Sequence, residues 1–239
     1  QLARRRVGRR QIHLDFHTSE YLPNIGEAFS KKQFQSALKI ANVDAVNIFG
    51  KGHHSWSYYP TKVGKMHPNL KFDLLGKQIE ACHEIGVAAP VYFTFGWSHN
   101  DAIDHPEWCS RSEDGSLLTN GHFDSSAGPD DRKPDFHWIF MCVNTSYHDH
   151  VIEQLEELCI NYDIDGVWMD IYQVSRPCYC NTCKEMMFAE GFDIGKRDEA
   201  IRFLAKSFKR HQESVTRLVQ KYHPDATVYF NGCTAINRG

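Results

Sequence analysis

A (β/α)8 barrel, an α/β fold entered at its first strand and followed through its fifth, is what the sequence predicts, and three observations predict it. Five short apolar runs alternate with longer segments whose apolar residues recur at helical spacing. The runs are apolar almost throughout, as strands of a parallel sheet buried on both faces must be. Polar residues gather at or just beyond their C-terminal ends, namely Asp15, His17, Lys51, His53, His54, Trp97, Asp170 and Asn231. A barrel assembles its site there, from several different strands. A dinucleotide-binding sheet would instead want a Gly-rich loop after the first strand, and "LDFHTSEYLPNIG" contains no G-x-G-x-x-G.

The expected strands are 11–16, 45–50, 87–95, 166–172 and 227–232. Between them, Ser30 is placed to cap a helix over 31–42 that turns Phe34, Leu38 and Ala41 to one side, and Asp73 to cap 74–85 with Leu75, Ile79 and Cys82 inward. Helices over 148–162 and 198–222 bury Val151, Leu155 and Leu158, and Ile201, Leu204, Phe208, Val215 and Leu218; Pro224 stops the second. Residues 11–239 are read as one barrel domain that supplies five of eight βα units. Residues 96–146 read as a long loop insertion over the site, polar and aromatic, of a length that is usually functional or disordered. Residues 1–10, with Arg4, Arg5, Arg6, Arg9 and Arg10 and no apolar period, read as a disordered basic tail.

The chain has 239 residues, 41% hydrophobic and 24% charged, with a formal net charge of −3, enough for a sizeable core. That charge gives no general pull toward nucleic acid or an anionic membrane. No apolar run approaches the roughly 18 residues that span a bilayer, and the expected location is cytoplasmic. Homo-oligomerisation is left open.

The segment "GKGHHSWSYYP" that closes the second strand mixes hydrogen-bonding groups with flat rings. Sugars need both: donors and acceptors for hydroxyls, and aromatic faces for the C–H surface of the ring. Lys51, His53 and His54 would supply the first, and Trp56, Tyr58 and Tyr59 the second. Adjacent histidines in an extended segment point to opposite sides, which disfavours a two-histidine metal grip; a loop packing its rings into the barrel rim is the structural alternative.

"FGKGHHSWSYYPTKVG" resembles the K-H-H-D-G-F…W-P/S segment that follows the second barrel strand in glycoside hydrolase family 29 α-L-fucosidases. "IHLDFHT" stands in the place of their first-strand I-H-W-G histidine, and "YDIDGVWMDIY" resembles their fourth-strand D-x-x-W-x-D, whose final Asp is the nucleophile. "QIHLDFHTSE", "HPNLKFDLLGKQIEACHEIG" and "YDIDGVWMDIYQVSRPCYCNTC" are closer still to the N-terminal barrel half of family 151 α-L-fucosidases and their hypothetical glycosyl hydrolase relatives, from about residue 11 onward. Ser55 departs from the pattern, standing where K-H-H-D-G has its Asp. The resemblance implies a retaining, exo-acting α-L-fucosidase that removes terminal fucose from glycans, with Asp170 as nucleophile and a second carboxyl about 5–5.5 Å away as acid and then base. That second group is not assigned, and Asp165, in the turn "DIDG", reads as turn chemistry. His17, Lys51, His53, His54 and Trp97 would hold sugar hydroxyls, Tyr172 would flank the nucleophile, and Asn231 would line the floor or cap a turn. For Asp170 the structural alternative is a hydrogen bond or salt bridge within the fold.

Of the eight cysteines, Cys82 and Cys159 fall on buried helix faces and read as core thiols. Cys178, Cys180 and Cys183 have the spacing C-x-C-x2-C, which can turn three thiolates toward one point. "FMCVNTSYHDH" and "CYCNTC" resemble the zinc cysteines of family 42 β-galactosidases, which implies Cys142 as fourth ligand; Cys109 is the alternative, and reduced surface thiols the plain reading. Such a zinc would be structural, and no cofactor is expected for catalysis. Family 42 enzymes carry an Asn-Glu pair at the end of the fourth strand where this chain has Ile171 and Tyr172, which argues against a β-galactosidase-like glycosidase. The other readings are a non-catalytic carbohydrate-binding barrel and, last, a zinc-dependent hydrolase, for which no H-E-x-x-H spacing exists.

Overall fold

The computed structural model describes residues 7–120, 138–172 and 176–232. Five parallel strands form the sheet: β1 (Gln11–His13), β2 (Ala45–Lys51), β5 (Pro90–Thr94), β6 (Gly166–Asp170) and β7 (Thr227–Phe230), paired in that order. They are the five expected runs, shortened where the chain bends into site loops. The two-residue strands β3 (Trp56–Ser57) and β4 (Lys65–Met66) extend the sheet beside the end of β2, with β3 antiparallel to it. The five parallel strands run from β1 to β7, and β3 and β4 add a short mixed edge beside the end of β2. The strand order is compatible with part of a barrel.

Helices α1 (Lys31–Ile40), α2 (Leu74–Glu84), α4 (Tyr147–Asn161) and α6 (Arg197–Tyr222) cover one face. Ser30 and Asp73 cap α1 and α2, accepting from the backbone N–H of Gln33 and Gly76. Because side chains alternate along a strand, Val46, Ile48, Val91, Phe93, Val167 and Met169 meet Leu38, Leu75, Ile79, Leu155, Leu158 and Val215 in one core. Cys82 and Cys159 lie in it. On the opposite face Phe49, Tyr92, Trp168 and Tyr229 run across the sheet in ring contact, joined by His13. That aromatic floor leads to the strand ends.

Two expectations change. The stretch read as loop insertion holds α3 (His99–Asp104), a 3-10 turn (Pro106–Trp108) and bridges from Trp97 to Phe140, Cys109 to Met141 and Thr119 to Ile139; residues 121–137 lie outside the described residues. The expected basic tail is anchored at its end, where the Arg9 and Arg10 backbone N–H groups and the Arg10 guanidinium donate to Asp44, at 3.0, 3.0 and 2.7 Å; residues 1–6 are not among those described. A helix α5 (Asn181–Ala189) after the cysteine cluster also went unread in the sequence. Among the described residues no helix is long and apolar enough to cross a membrane.

Leu155 is fully buried between α4 and the sheet. Leu155→Ala should lower unfolding stability by about 2–5 kcal/mol in urea titrations, with an unchanged m-value; an effect under about 1 kcal/mol would mean that α4 does not pack as described.

Candidate active site

At the end of β6, Asp170 is buried, its side chain 11% exposed, and both carboxylate oxygens are engaged. Oδ2 accepts from the Tyr92 hydroxyl at 2.6 Å; Oδ1 accepts from the Ile171 backbone N–H at 2.8 Å and the Asn231 side-chain amide at 2.6 Å. The donors come from three neighbouring segments: β5, the residue after β6, and the residue after β7. Ile171 reaches its position at φ +66, a left-handed conformation that a β-branched residue adopts only under strain. The turn is tight enough that a Cβ on Gly96 would lie 1.9 Å from the Ile171 carbonyl oxygen, so position 96 admits only glycine. Burial and the adjacent Asp170 charge push the Tyr92 phenol far up, which keeps it a donor.

The double histidine stands beside this carboxylate, with His53 Nε2 at 4.0 Å from Asp170 Oδ2. His53 Nδ1 lies 2.7 Å from the Thr94 hydroxyl, which itself donates to the Trp97 carbonyl. Thr94 must therefore accept from His53 Nδ1–H, which leaves Nε2 with a lone pair facing the site. The His53 backbone N–H donates to His17 Nδ1 at 3.0 Å, so His17 carries its proton on Nε2 and donates to Asp15 at 3.0 Å. The two rings stack 3.8 Å apart. Trp97 meets His53 edge-on and stacks with Trp138, which packs edge-on against His54. The His54 carbonyl accepts from the Asn100 side chain, and the Trp56 indole N–H donates to Glu20 at the same rim.

The sheet thus brings together Asp170, His53, His54, His17, Trp97 and Asn231, with Trp56 at the rim. Lys51, Tyr58, Tyr59 and Tyr172 point elsewhere. Lys51 has no exposed surface and its ammonium is held by Asp101 and Gln154, at 2.7 and 3.2 Å, so it is out of reach of a sugar hydroxyl. Tyr58 donates to the Phe16 carbonyl, Tyr59 is core, and Tyr172 stacks on Phe95 against Phe208. Lys51 turns to the helix side because the register shifts between Phe49 and Lys51, and the three tyrosines lie outside the strands, packed into the hydrophobic clusters. Tyr92, Thr94, Glu20, Asn100 and Trp138 belong to the site but were not read from sequence. Tyr92 and Thr94 share one face of β5, and the in-register pairing of Thr94 with Asp170 puts them at that carboxylate's level, a placement that a strand buried on both faces does not reveal in its sequence.

The cysteines form a second cluster. The sulfurs of Cys142, Cys178, Cys180 and Cys183 all lie within 4.8 Å of one another, Cys142 being 3.7 Å from Cys180 and 3.4 Å from Cys183. A tetrahedron with metal–sulfur bonds of about 2.3 Å has edges of about 3.8 Å, so the set fits a four-thiolate site. Further donors aim at sulfur: the backbone N–H groups of Arg111 and Cys180 at Cys178, and the Asn144 amide at Cys183. Cys109 is not a member; its thiol turns to the Ala102 carbonyl.

Burial, reinforced by His17 and His54, lowers His53 from 6.5 to about 2; burial, partly opposed by Glu20, lowers His54 to about 4. Both rings are neutral in the folded protein near pH 7. Well above pH 6.5 neither state binds a proton at them, so they contribute no pH dependence there. Below it the unfolded chain takes up protons that the folded rings refuse, and stability falls with pH until about 4 for His54 and about 2 for His53. Urea midpoints should therefore decline as pH drops from 6.5 toward 5, and His54→Gln should flatten the decline; a flat profile in the unmodified protein would contradict the buried neutral rings.

The model of the hypothetical glycosyl hydrolase 6 family matches residues 30–171, which include β2, β5, β6 and the site from Lys51 to Asp170. Among solved structures, α-L-fucosidase isoenzyme 2 from Paenibacillus thiaminolyticus is 38% identical with a TM-score of 0.82; the match covers 93% of this chain and 32% of that one. This chain therefore spans about a third of that relative's length. A hypothetical protein from Ruminiclostridium thermocellum (12% identity, TM-score 0.56, 95% of this chain and 100% of that one) and a β-galactosidase from the psychrophilic Marinomonas ef1 (10%, 0.59, 85% and 35%) share the fold. No curated protein sequence matches. With more than half of its length matched by the family model, an α-L-fucosidase-like sheet and a carboxylate at the end of β6, the chain belongs to the hypothetical glycosyl hydrolase 6 family.

Proposed function

We propose that this chain supplies the nucleophile side of a retaining, exo-acting α-L-fucosidase site, and that its five parallel strands are the first five of a (β/α)8 barrel. The observation that carries the reading is the Asp170 carboxylate, fixed by three donors beside the acceptor nitrogen of His53. A carboxylate that needs no reorientation is suited to attack an anomeric carbon and form a glycosyl ester, which water then hydrolyses with help from a second carboxyl. That second group is not assigned. His53 Nε2 would accept a sugar hydroxyl, His17 and His54 would bound the same pocket, and Trp97 with Trp138 would offer ring faces to the C–H surface. Asn231 acts in this scheme on the nucleophile rather than on the sugar. The relative from Paenibacillus thiaminolyticus, an α-L-fucosidase, supports the sugar assignment.

Release of nitrophenol from aryl glycosides, α-L-fucoside and β-D-galactoside among them, tests the reading. Asp170→Ala should lose on the order of a thousandfold or more in turnover of the fucoside, while azide, a small nucleophile able to enter the vacated space, should restore product release. Unchanged turnover in Asp170→Ala would remove that residue from the mechanism. Sugar affinity with no release from any glycoside would favour a binding barrel.

Cys142, Cys178, Cys180 and Cys183 would hold zinc as a closed structural site, with no position left for substrate. Purified protein should contain one zinc per chain, Cys178→Ser should lose it, and chelation should lower the thermal midpoint. Metal-free protein of undiminished stability would refute the assignment.

A further inference from the structure

We propose that Asp101 is a positioning residue for the double-histidine turn: a carboxylate that reaches the turn from α3, where the K-H-H-D-G pattern carries one inside the turn at the position of Ser55. The catalytic part of this inference rests on the glycosidase reading above.

The turn that presents His53 and His54 runs from Gly52 to Ser55 and is closed by the Ser55 N–H donating to the Gly52 carbonyl at 3.0 Å. Ser55 is left-handed, at φ +76. Its hydroxyl accepts from the Asp101 backbone N–H at 3.0 Å and lies 2.9 Å from the Ser98 hydroxyl, which donates to Asp101 Oδ2 at 2.6 Å. The same Oδ2 accepts from Lys51, the residue immediately before the turn, at 2.7 Å. Asp101 therefore binds both ends of the turn, through an ammonium at one and a backbone N–H at the other. The His99 N–H donates to the His53 carbonyl at 2.9 Å, and the Asn100 amide to the His54 carbonyl at 2.6 Å, so α3 holds the turn along its whole length.

None of this can be solvated: Lys51 has no exposed side-chain surface and Asp101 only 8%. The ammonium sits between the rings of Phe93 and Tyr147 with Gln154 as its other acceptor. Burial alone would raise the Asp101 carboxyl, but the charge and hydrogen bond of Lys51, with the Ser98 hydroxyl, outweigh it and hold it below the ordinary carboxylate range. The network thus contains one buried positive and one buried negative charge, the negative one on the helix that clamps the turn. Asp tolerates left-handed φ better than most residues. Position 55 can therefore take the carboxylate.

The experiment relocates that charge. Asp101→Asn, Ser55→Asp and the double variant Ser55→Asp/Asp101→Asn are compared with the unmodified protein by kcat and KM on an aryl α-L-fucoside. Thermal midpoint and the imidazole nitrogen resonances of His53 and His54 are measured alongside. Asp101→Asn should lose about 100-fold in kcat/KM through both constants, the scale expected when site groups shift by about an ångström, and its imidazole resonances should move. Ser55→Asp alone, with two carboxylates against one ammonium, should also be impaired. The double variant should return to within about tenfold of the unmodified kcat/KM, with its resonances restored, even if Asp101→Asn alone does not fold. Unmoved resonances and unmodified kcat/KM in Asp101→Asn overturn the proposal, as does a double variant no better than Asp101→Asn or one that fails to fold. Should the unmodified protein turn over no glycoside, the glycosidase reading falls, and the imidazole resonances and midpoints of the same variants still decide the positioning role.

Discussion

A buried carboxylate at the end of β6 is the constraint around which this structure is arranged. An ionised group taken out of water costs several kcal/mol unless its lone pairs are met by well-placed donors. Asp170 meets that condition because the ends of three adjacent segments lie at one level. β5 contributes Tyr92, the chain leaving β6 contributes the Ile171 N–H, and the residue after β7 contributes Asn231. The pairing of Thr94 with Asp170 and of Met169 with Phe230 fixes that level. A one-residue slip of β5 would turn Tyr92 to the helix face and leave an oxygen of Asp170 without its donor. The register that buries the core is therefore the register that holds the Asp170 carboxylate.

Two left-handed residues mark where regular backbone gives way to function. Ser55 directly follows His54, and Ile171 directly follows Asp170. Conformations of this kind cost about 1–3 kcal/mol each and persist where surrounding bonds over-determine them. Here those bonds are visible: the Ile171 N–H is turned back onto the carboxylate, and the Ser55 hydroxyl is tied to Ser98 and Asp101. In both cases the strained residue points the side chain before it toward the mouth of the sheet.

The main strands and the longer helices were legible in the sequence because each spans enough residues to show its period. The two-residue strands β3 and β4 and the six-residue helix α3 are too short to do so. The strand-end histidines and Asp170 stood out as polar residues after apolar runs. Tyr92 and Thr94 did not, since a strand buried on both faces shows no polar alternation and a site residue there resembles core. Lys51 shows the opposite error: next to two histidines it reads as a ligand donor, but its fate is decided by Asp101, fifty residues later in a stretch that reads as loop. Charge pairing across such a separation leaves no local pattern. The cysteine spacing was legible for three members, and the fourth, Cys142, came from resemblance rather than from spacing.

The cysteine cluster and the carboxylate are joined by a short backbone path. Cys142 follows Met141, whose N–H donates to the Gly96 carbonyl at 2.9 Å, and the Gly96 N–H donates in turn to the Asp170 carbonyl at 3.2 Å. The cluster has its own small core, in which Tyr179, Met187 and Phe203 pack around Cys142, Cys178 and Cys183, separate from the sheet–helix core. It gathers the segment that carries Phe140 and Met141, the segment after Asp170 and the start of α5. The Arg111 N–H donates to Cys178 sulfur and its carbonyl accepts from the Tyr179 N–H, so the outer turn of the wall is held as well. Position 96 admits only glycine, and any drift of the segment at Met141 would be transmitted through Gly96 to the peptide that orients Asp170. The wall is anchored by buried apolar side chains, Trp108, Phe140, Met141 and Val143 among them. The four sulfurs gathered at one point add a second anchor to it, a short backbone path from Asp170.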